Sequence, residues 1–269
     1  MAPAMVTVEE LAAPYANFMR NPLPREAVGV CRTCARFTDG HNICYACHRQ
    51  PGHADVVLPI SYSVRYGQLH LALRGYKDGP AHVRREFGAE LAAVLWRFLE
   101  RHEACLAAAA GVSRFDILAT VPSSVAARDA QHPLRHLVAR LPAPASARHE
   151  RLLRCSDTPL PKRTVQVARY APTRPLRGER ILLIDDTWVT GASAQSAAGA
   201  LKAAGAGSVG VLVIGRHLDA DYADDAARLA ALPGFHWGVC RLEAGSDQTT
   251  QLSPCSSAPL MPASRALSR

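Results

Sequence analysis

ILLIDDTWVTGAS, residues 181–193, carries four apolar residues straight into two adjacent aspartates, with a Thr-Gly-Ala-Ser turn close behind. The apolar run reads as a strand buried on both faces, the mark of a central parallel strand. Like charges repel and carboxylates resist leaving water, so Asp185 and Asp186 at the end of such a strand need a reason. The segment that follows, SAQSAAGALKAAG, reads as a helix closed by Gly205, a C′ position that suits glycine. The turn between strand and helix can therefore cradle an anion. First-turn amides have no partner within the helix, the dipole favours negative charge, and Gly191 allows φ > 0 and close approach to the main chain. The hydroxyls of Thr190 and Ser193 add donors. Acids would repel that anion, so the aspartates must address another part of the same molecule. Vicinal hydroxyls donate to carboxylates. A sugar with a diol at one end and a phosphate at the other, a ribose 5-phosphate group, satisfies both halves.

Working outward, strands alternate with helices, which predicts an α/β domain with a mostly parallel sheet flanked by helices. Strands are expected at 56–63 (VVLPISYS), 114–124 (RFDILATVPSS, ending at Pro122), 179–186 and 208–216. Helices are expected at 82–106, where Phe87, Leu91, Val94, Leu95, Phe98 and Leu99 form one apolar face, and at 132–142. A short helix broken by Pro14 covers 8–20, and FHWGVC, 235–240, reads as an edge strand.

Cys31-x2-Cys34 and Cys44-x2-Cys47 have the spacing of a small zinc ribbon: two turns present four thiolates to a tetrahedral ion. Such an ion is structural, its binding energy folding a segment too short for a core of its own. His41, His48 and His53 lie close, but four cysteines suffice. Neither Cys pair opens a helix beside a βαβ unit as a redox pair would, and Cys105, Cys155, Cys240 and Cys255 read as ordinary residues. The expected organisation is a helical segment at 1–27, the zinc ribbon at 28–55, the α/β domain at 56–245 and a disordered Ser/Pro-rich tail at 246–269.

The chain has 269 residues, 48% of them hydrophobic and 20% charged, enough for a sizeable core. No apolar run reaches the ~20 residues of a membrane span, and the N-terminus lacks a basic start followed by an apolar block, so a cytoplasmic protein is the expectation. The net charge of +8 sits wholly between Arg128 and Arg180, where twelve Lys or Arg face four acids. Residues 143–180 are rich in Pro and Arg, and a long, mobile, partly extended excursion is expected there. A concentrated positive segment suits a polyanion such as single-stranded DNA, although Tyr170 is its only aromatic residue.

Four apolar residues, two acids and a Thr-Gly-x-Ser/Thr turn resemble the phosphoribosyl-pyrophosphate (PRPP) motif of type I phosphoribosyltransferases, with Ser193 where threonine is commoner and Trp188 where a smaller residue is usual. Together with the Cys quartet, LRGYKDG at 73–79 and VPSS at 121–124, the chain resembles ComF-type proteins linked to bacterial DNA uptake (competence). The resemblance implies a type I phosphoribosyltransferase fold with a small N-terminal zinc ribbon. It implies Asp185 and Asp186 on the ribose hydroxyls as the catalytic pair, and Thr187, Thr190, Gly191, Ala192 and Ser193 around the 5′-phosphate. Ser123, Ser124 and Arg128 would lie at the pyrophosphate, and Lys162, Arg163 and Arg169 in a loop over the substrate. Mg²⁺ with PRPP and structural Zn²⁺ are the implied cofactors. PRPP or a ribose 5-phosphate nucleotide is the implied ligand, with transfer of the ribose 5-phosphate group and release of pyrophosphate as the reaction. The alternative is a non-catalytic competence protein binding single-stranded DNA or protein partners.

Overall fold

The computed structural model describes residues 6–123, 129, 131–156, 160, 161, 163–219, 221, 222 and 224–243. Its centre is a four-stranded, all-parallel sheet in the order β1 (Val56–Val64), β6 (Ser208–Leu218), β5 (Arg180–Trp188), β2 (Ile117–Thr120). Side chains alternate across each strand. Leu182 and Ile184 of β5, Leu212 and Ile214 of β6 and Leu58 and Ile60 of β1 enter one apolar layer. Ile181, Leu183, Val209, Val211, Val213 and Val57 enter the other. Both faces are covered, which is why these strands read as unbroken apolar runs.

The first layer is closed by α1 (Val8–Ala12), α3 (Gln68–Asp78), α4 (Ala81–Ala109) and α5 (Pro133–Ala139). The second is closed by α6 (Ala192–Ala203), whose small side chains let other chain segments come near. A Cβ at Gly199 would lie 2.7 Å from Val167 and 2.9 Å from His53. Two short helices, α2 (Tyr45–Arg49) and α7 (Asp225–Ala230), complete the described set. Among the described residues no helix is long and apolar enough to cross a membrane.

Three expectations need correction. Helix α3 is absent from the reading above, although Leu69, Ala72, Leu73 and Tyr76 recur at helical steps and are all buried. The excursion between 143 and 180 is not loose where it is described. Leu153–Cys155 (β3) and Tyr170–Pro172 (β4) pair as an antiparallel ribbon, with Leu153 and Tyr170 buried against α6 and the sheet. Residues 235–240 form turns and no strand; Trp237 packs on α4, under the Arg97 guanidinium. The tail expected at 246–269 lies outside the described residues.

Candidate functional site

Strand β2 ends its pairing at Thr120, opposite Ile184, and Val121 makes one last bond from its N–H to the Ile184 carbonyl (3.0 Å). Beyond that point β5 continues with β6 alone, Asp185 standing opposite Val213 and Thr187 opposite Gly215. The acid pair therefore sits at the carboxyl end of the sheet where one neighbour has departed, the place where open α/β sheets leave a crevice. Ser123 lies three residues past the end of β2. Ser124 and Arg128 lie outside the described residues.

Neighbours on a strand point to opposite faces, and the two aspartates obey. Asp186 enters the layer under α3, where its Oδ2 accepts a hydrogen bond from the Tyr76 hydroxyl and an ion pair from Lys77. Both partners belong to LRGYKDG. Gly75 positions them, since a Cβ there would meet the Phe87 ring of α4 at 2.6 Å; only glycine lets α3 lie that close. Burial pushes the Asp186 carboxyl up, but Lys77 and Tyr76 more than offset it, and the group is held below the usual carboxylate range. Lys77 is the mirror case: burial pulls it down, Asp186 outweighs burial, and the ammonium is held above its ordinary value.

Asp185 faces the other way, and among the described residues no lysine forms an ion pair with it. Its Oδ1 accepts the backbone N–H of Asp186 (2.9 Å). Burial and the neighbouring Asp186 charge raise its carboxyl to about 7, against the pull of Lys77. The Tyr170 phenol lies beside it and close to the Ser193 hydroxyl. That phenol is shifted upward, by burial first and then by the Asp185 charge.

The sign of the Asp185 shift yields an expectation for stability. A carboxyl near 7 in the folded protein and near 3.9 in the unfolded chain binds its proton more tightly when folded, so its ionisation favours unfolding. Stability then declines as pH rises from about 4 to above 7, by at most about 4 kcal/mol. Asp185→Asn is expected to remove that decline, so urea midpoints of variant and parent should differ more at pH 8 than at pH 5. An equal difference at both pH values contradicts the assignment.

Past the acids, Trp188 is buried and its indole lies where a Cβ on Gly191 would sit. Gly191 adopts φ 81°, the left-handed region, and starts α6. A side chain there would face both backbone strain and the indole, so the unusual tryptophan and the glycine fit as a pair. The Ala192 N–H reaches the Thr190 hydroxyl (3.3 Å), and Gln195 N–H makes the first helical bond to the Gly191 carbonyl (2.9 Å). The N–H groups of Ser193 and Ala194 belong to the first turn, whose amides have no acceptor within the helix. The loop is stiffened from behind by Arg216, buried in β6, which donates to the carbonyls of Trp188 (3.0 Å) and Val189 (3.2 Å). Arg216 and His132 are residues that sequence reading missed. His132, at the start of α5, has a buried Nδ1 without a hydrogen-bond partner among the described residues. Burial lowers its pKa, and the Asp186 charge acts against that.

The loop expected over the substrate is differently built. Arg169 is buried, and its guanidinium donates to the carbonyls of Pro161 (2.5 Å) and Thr164 (3.2 Å), so it holds its own loop together. Arg163 is exposed, with its carbonyl taking the Gln50 amide (3.2 Å). Lys162 lies outside the described residues.

The Cys quartet converges. The Sγ atoms of Cys31, Cys34, Cys44 and Cys47 lie within 4.8 Å of one another, Cys34 and Cys44 at 3.7 Å. A tetrahedron of sulfurs at the Zn–S length has edges of about 3.8 Å, so the four thiols match a zinc ion. Cys44 is the N-cap of the five-residue helix α2, which precedes β1 and belongs to no strand-helix-strand unit. The knuckle is fastened to the sheet by buried polar groups. The Tyr62 hydroxyl donates to the Ala35 carbonyl (2.9 Å), and the Arg241 guanidinium donates to Cys31 (3.0 Å) and Thr33 (3.3 Å). Gln195 of α6 accepts the N–H groups of His53 (2.6 Å) and Ala54 (2.9 Å). The fold is thus a mixed α/β architecture with a parallel sheet and an N-terminal four-cysteine cluster that suits zinc. Comparison with family models, curated proteins and solved structures returns no match.

Proposed function

We propose that the carboxyl end of β5 binds the ribose 5-phosphate moiety of PRPP and that the protein is a phosphoribosyltransferase-like PRPP binder. The observation that carries the reading is the continuity of one short path: an acid pair where β2 has left β5, then a left-handed glycine, then the N-terminus of a twelve-residue helix. The 5′-phosphate would sit on the amides of the first turn of α6, with the hydroxyls of Thr190 and Ser193 as side-chain donors. Asp185 would accept from the ribose hydroxyls, while Asp186, tied to Tyr76 and Lys77, fixes the strand. Lys77, still 35% exposed at its side chain, offers a cation toward the leaving pyrophosphate. Transfer would break the bond from C1 of the ribose to pyrophosphate as a nucleophile adds there, and Asp185 would stabilise positive charge developing on the sugar. Mg²⁺ bound with PRPP would neutralise the leaving group, and the carboxylate of Asp185 is the hard oxygen donor in the cleft that suits it.

Single-stranded DNA as the ligand has less support. Arg148, Arg151, Arg174 and Arg180 pair with Glu103, Asp129, Glu150 and Asp116, at 2.5–2.6 Å. Part of the excess positive charge thus has internal partners.

The test is calorimetric titration of PRPP in Mg²⁺, with single-stranded DNA as parallel ligand and pyrophosphate release assayed over a panel of bases and amines. PRPP is expected to bind, and Asp185→Asn with Asp186→Asn is expected to abolish binding. Undiminished affinity in the double variant removes this reading.

A further inference from the structure

A second group of metal-type ligands forms between α4 and the chain after α7. His102, Cys105, Cys240 and Glu243 place one ligand atom each within 4.8 Å of the others. His102 and Cys105 share one face of α4 at a three-residue step, and Cys240 and Glu243 repeat that step on a turn 138 residues away in sequence, counted from Cys105 to Glu243. His102, Cys105 and Cys240 are buried, which sets them apart from a surface cluster.

The ring of His102 is already oriented. Its Nε2 lies 2.8 Å from the Trp237 carbonyl, which can only accept, so Nε2 carries a proton and Nδ1 faces the cluster. A ligating histidine is set up in this way, one nitrogen held by a carbonyl and the other turned to the ion. Within the cluster, Nδ1 is 3.6 Å from Glu243 Oε1 and 3.9 Å from Cys105 Sγ, and Cys105 Sγ is 4.0 Å from Glu243 Oε1. These spacings are long for strong hydrogen bonds. They fall close to the edges of about 3.3–3.8 Å that a tetrahedron of nitrogen, oxygen and sulfur ligands has around zinc.

We propose that His102 Nδ1, Cys105 Sγ, Cys240 Sγ and a Glu243 carboxylate oxygen form a second, structural zinc site, distinct from the four-cysteine knuckle. The ion displaces the protons of both thiols and fastens residues 235–243, which have neither helix nor strand, to α4. Arg241 lies between two of these ligands in sequence and donates to the Cys31, Arg32 and Thr33 carbonyls of the knuckle. The segment thus bridges two metal centres.

The experiment is elemental analysis of the full chain purified without chelator, joined to zinc K-edge scattering. Two zinc ions per chain are expected, with an average shell of three sulfurs and one lighter atom. One zinc per chain with an all-sulfur shell overturns the proposal, and needs no variant. Cys105→Ser with Cys240→Ser is expected to drop the count to one while the remaining shell becomes all sulfur; a count still at two overturns it as well. Glu243→Gln, a milder change, is expected to weaken zinc retention against a competing chelator at this site alone, by more than loss of an outer-shell partner costs, which is about 10–100-fold. PRPP titration enters none of these readouts, so the two readings can fail separately.

Discussion

Cys44→Ser is expected to release the knuckle zinc and to destabilise the whole protein. Residues 30–49 hold one five-residue helix and a single isolated bridge, Val30 to Phe37. Their apolar support is small: Val30, Ala35 and Phe37 with Tyr62 and Leu218. Cys31, Cys34 and Cys44 are themselves buried, in one cluster with Val57, Ile117, Leu183 and Trp188, so the knuckle covers part of the second face of the sheet. Without an ion, four thiols are left packed together with no strong mutual interaction. Structural zinc sites contribute about 10–16 kcal/mol to folding of isolated fingers, and whole domains are stable by only about 5–15 kcal/mol. Losing one ligand need remove only about a third of that to lower Tm by about 10–20 °C in a chain of this size. Zinc content and thermal melts of the variant decide it, with Cys155→Ser as the control that keeps the knuckle zinc. A Cys44→Ser protein that melts like its parent and holds the ion would refute the structural role.

Lys77→Met is expected to be nearly as damaging, and to steepen the loss of stability with rising pH that Asp185 already produces. In the parent, Asp186 is held below the usual carboxylate range, so its contribution is present above about pH 4 and is lost as pH falls through the folded value. Removing the ammonium leaves a buried carboxylate facing a phenol and the Asp185 charge. Breaking a buried pair in this way costs about 3–5 kcal/mol near neutral pH. The carboxyl of the variant is then raised, and its stability should fall as pH rises from about 4 to 8. Adding Asp186→Asn removes the orphaned charge, so the double variant should recover most of the loss and lose the added steepness of the profile. Urea midpoints across pH 4–8 for the parent, both single variants and the pair give the coupling directly. A Lys77→Met protein whose stability falls no more steeply than the parent's over that range contradicts the assignment.

Much of this architecture is local and could be read in order along the chain. The apolar run at 181–184 is a central strand because both its faces are covered, and the turn at Gly191 with the alanine-rich stretch after it becomes a helix start at φ 81°. Two Cys-x2-Cys turns converge because their spacing allows little else. Helix α3 is legible too, through the helical steps of Leu69, Ala72, Leu73 and Tyr76. Local pattern could not show that Asp185 and Asp186, equal in the sequence, become unequal in the fold. One meets Tyr76 and Lys77 of the helix that covers its face of the sheet, and the other keeps a raised carboxyl with no such partner among the described residues. Nor could it show that Arg169 turns inward, that Glu150 and Asp116 neutralise arginines, or that two cysteines read as ordinary meet His102 and Glu243. Those outcomes depend on which strand neighbours which and on how closely α3 lies on α4. Periodicity reports which face of an element is buried, whereas the partner waiting on that face is fixed only when distant segments pack together.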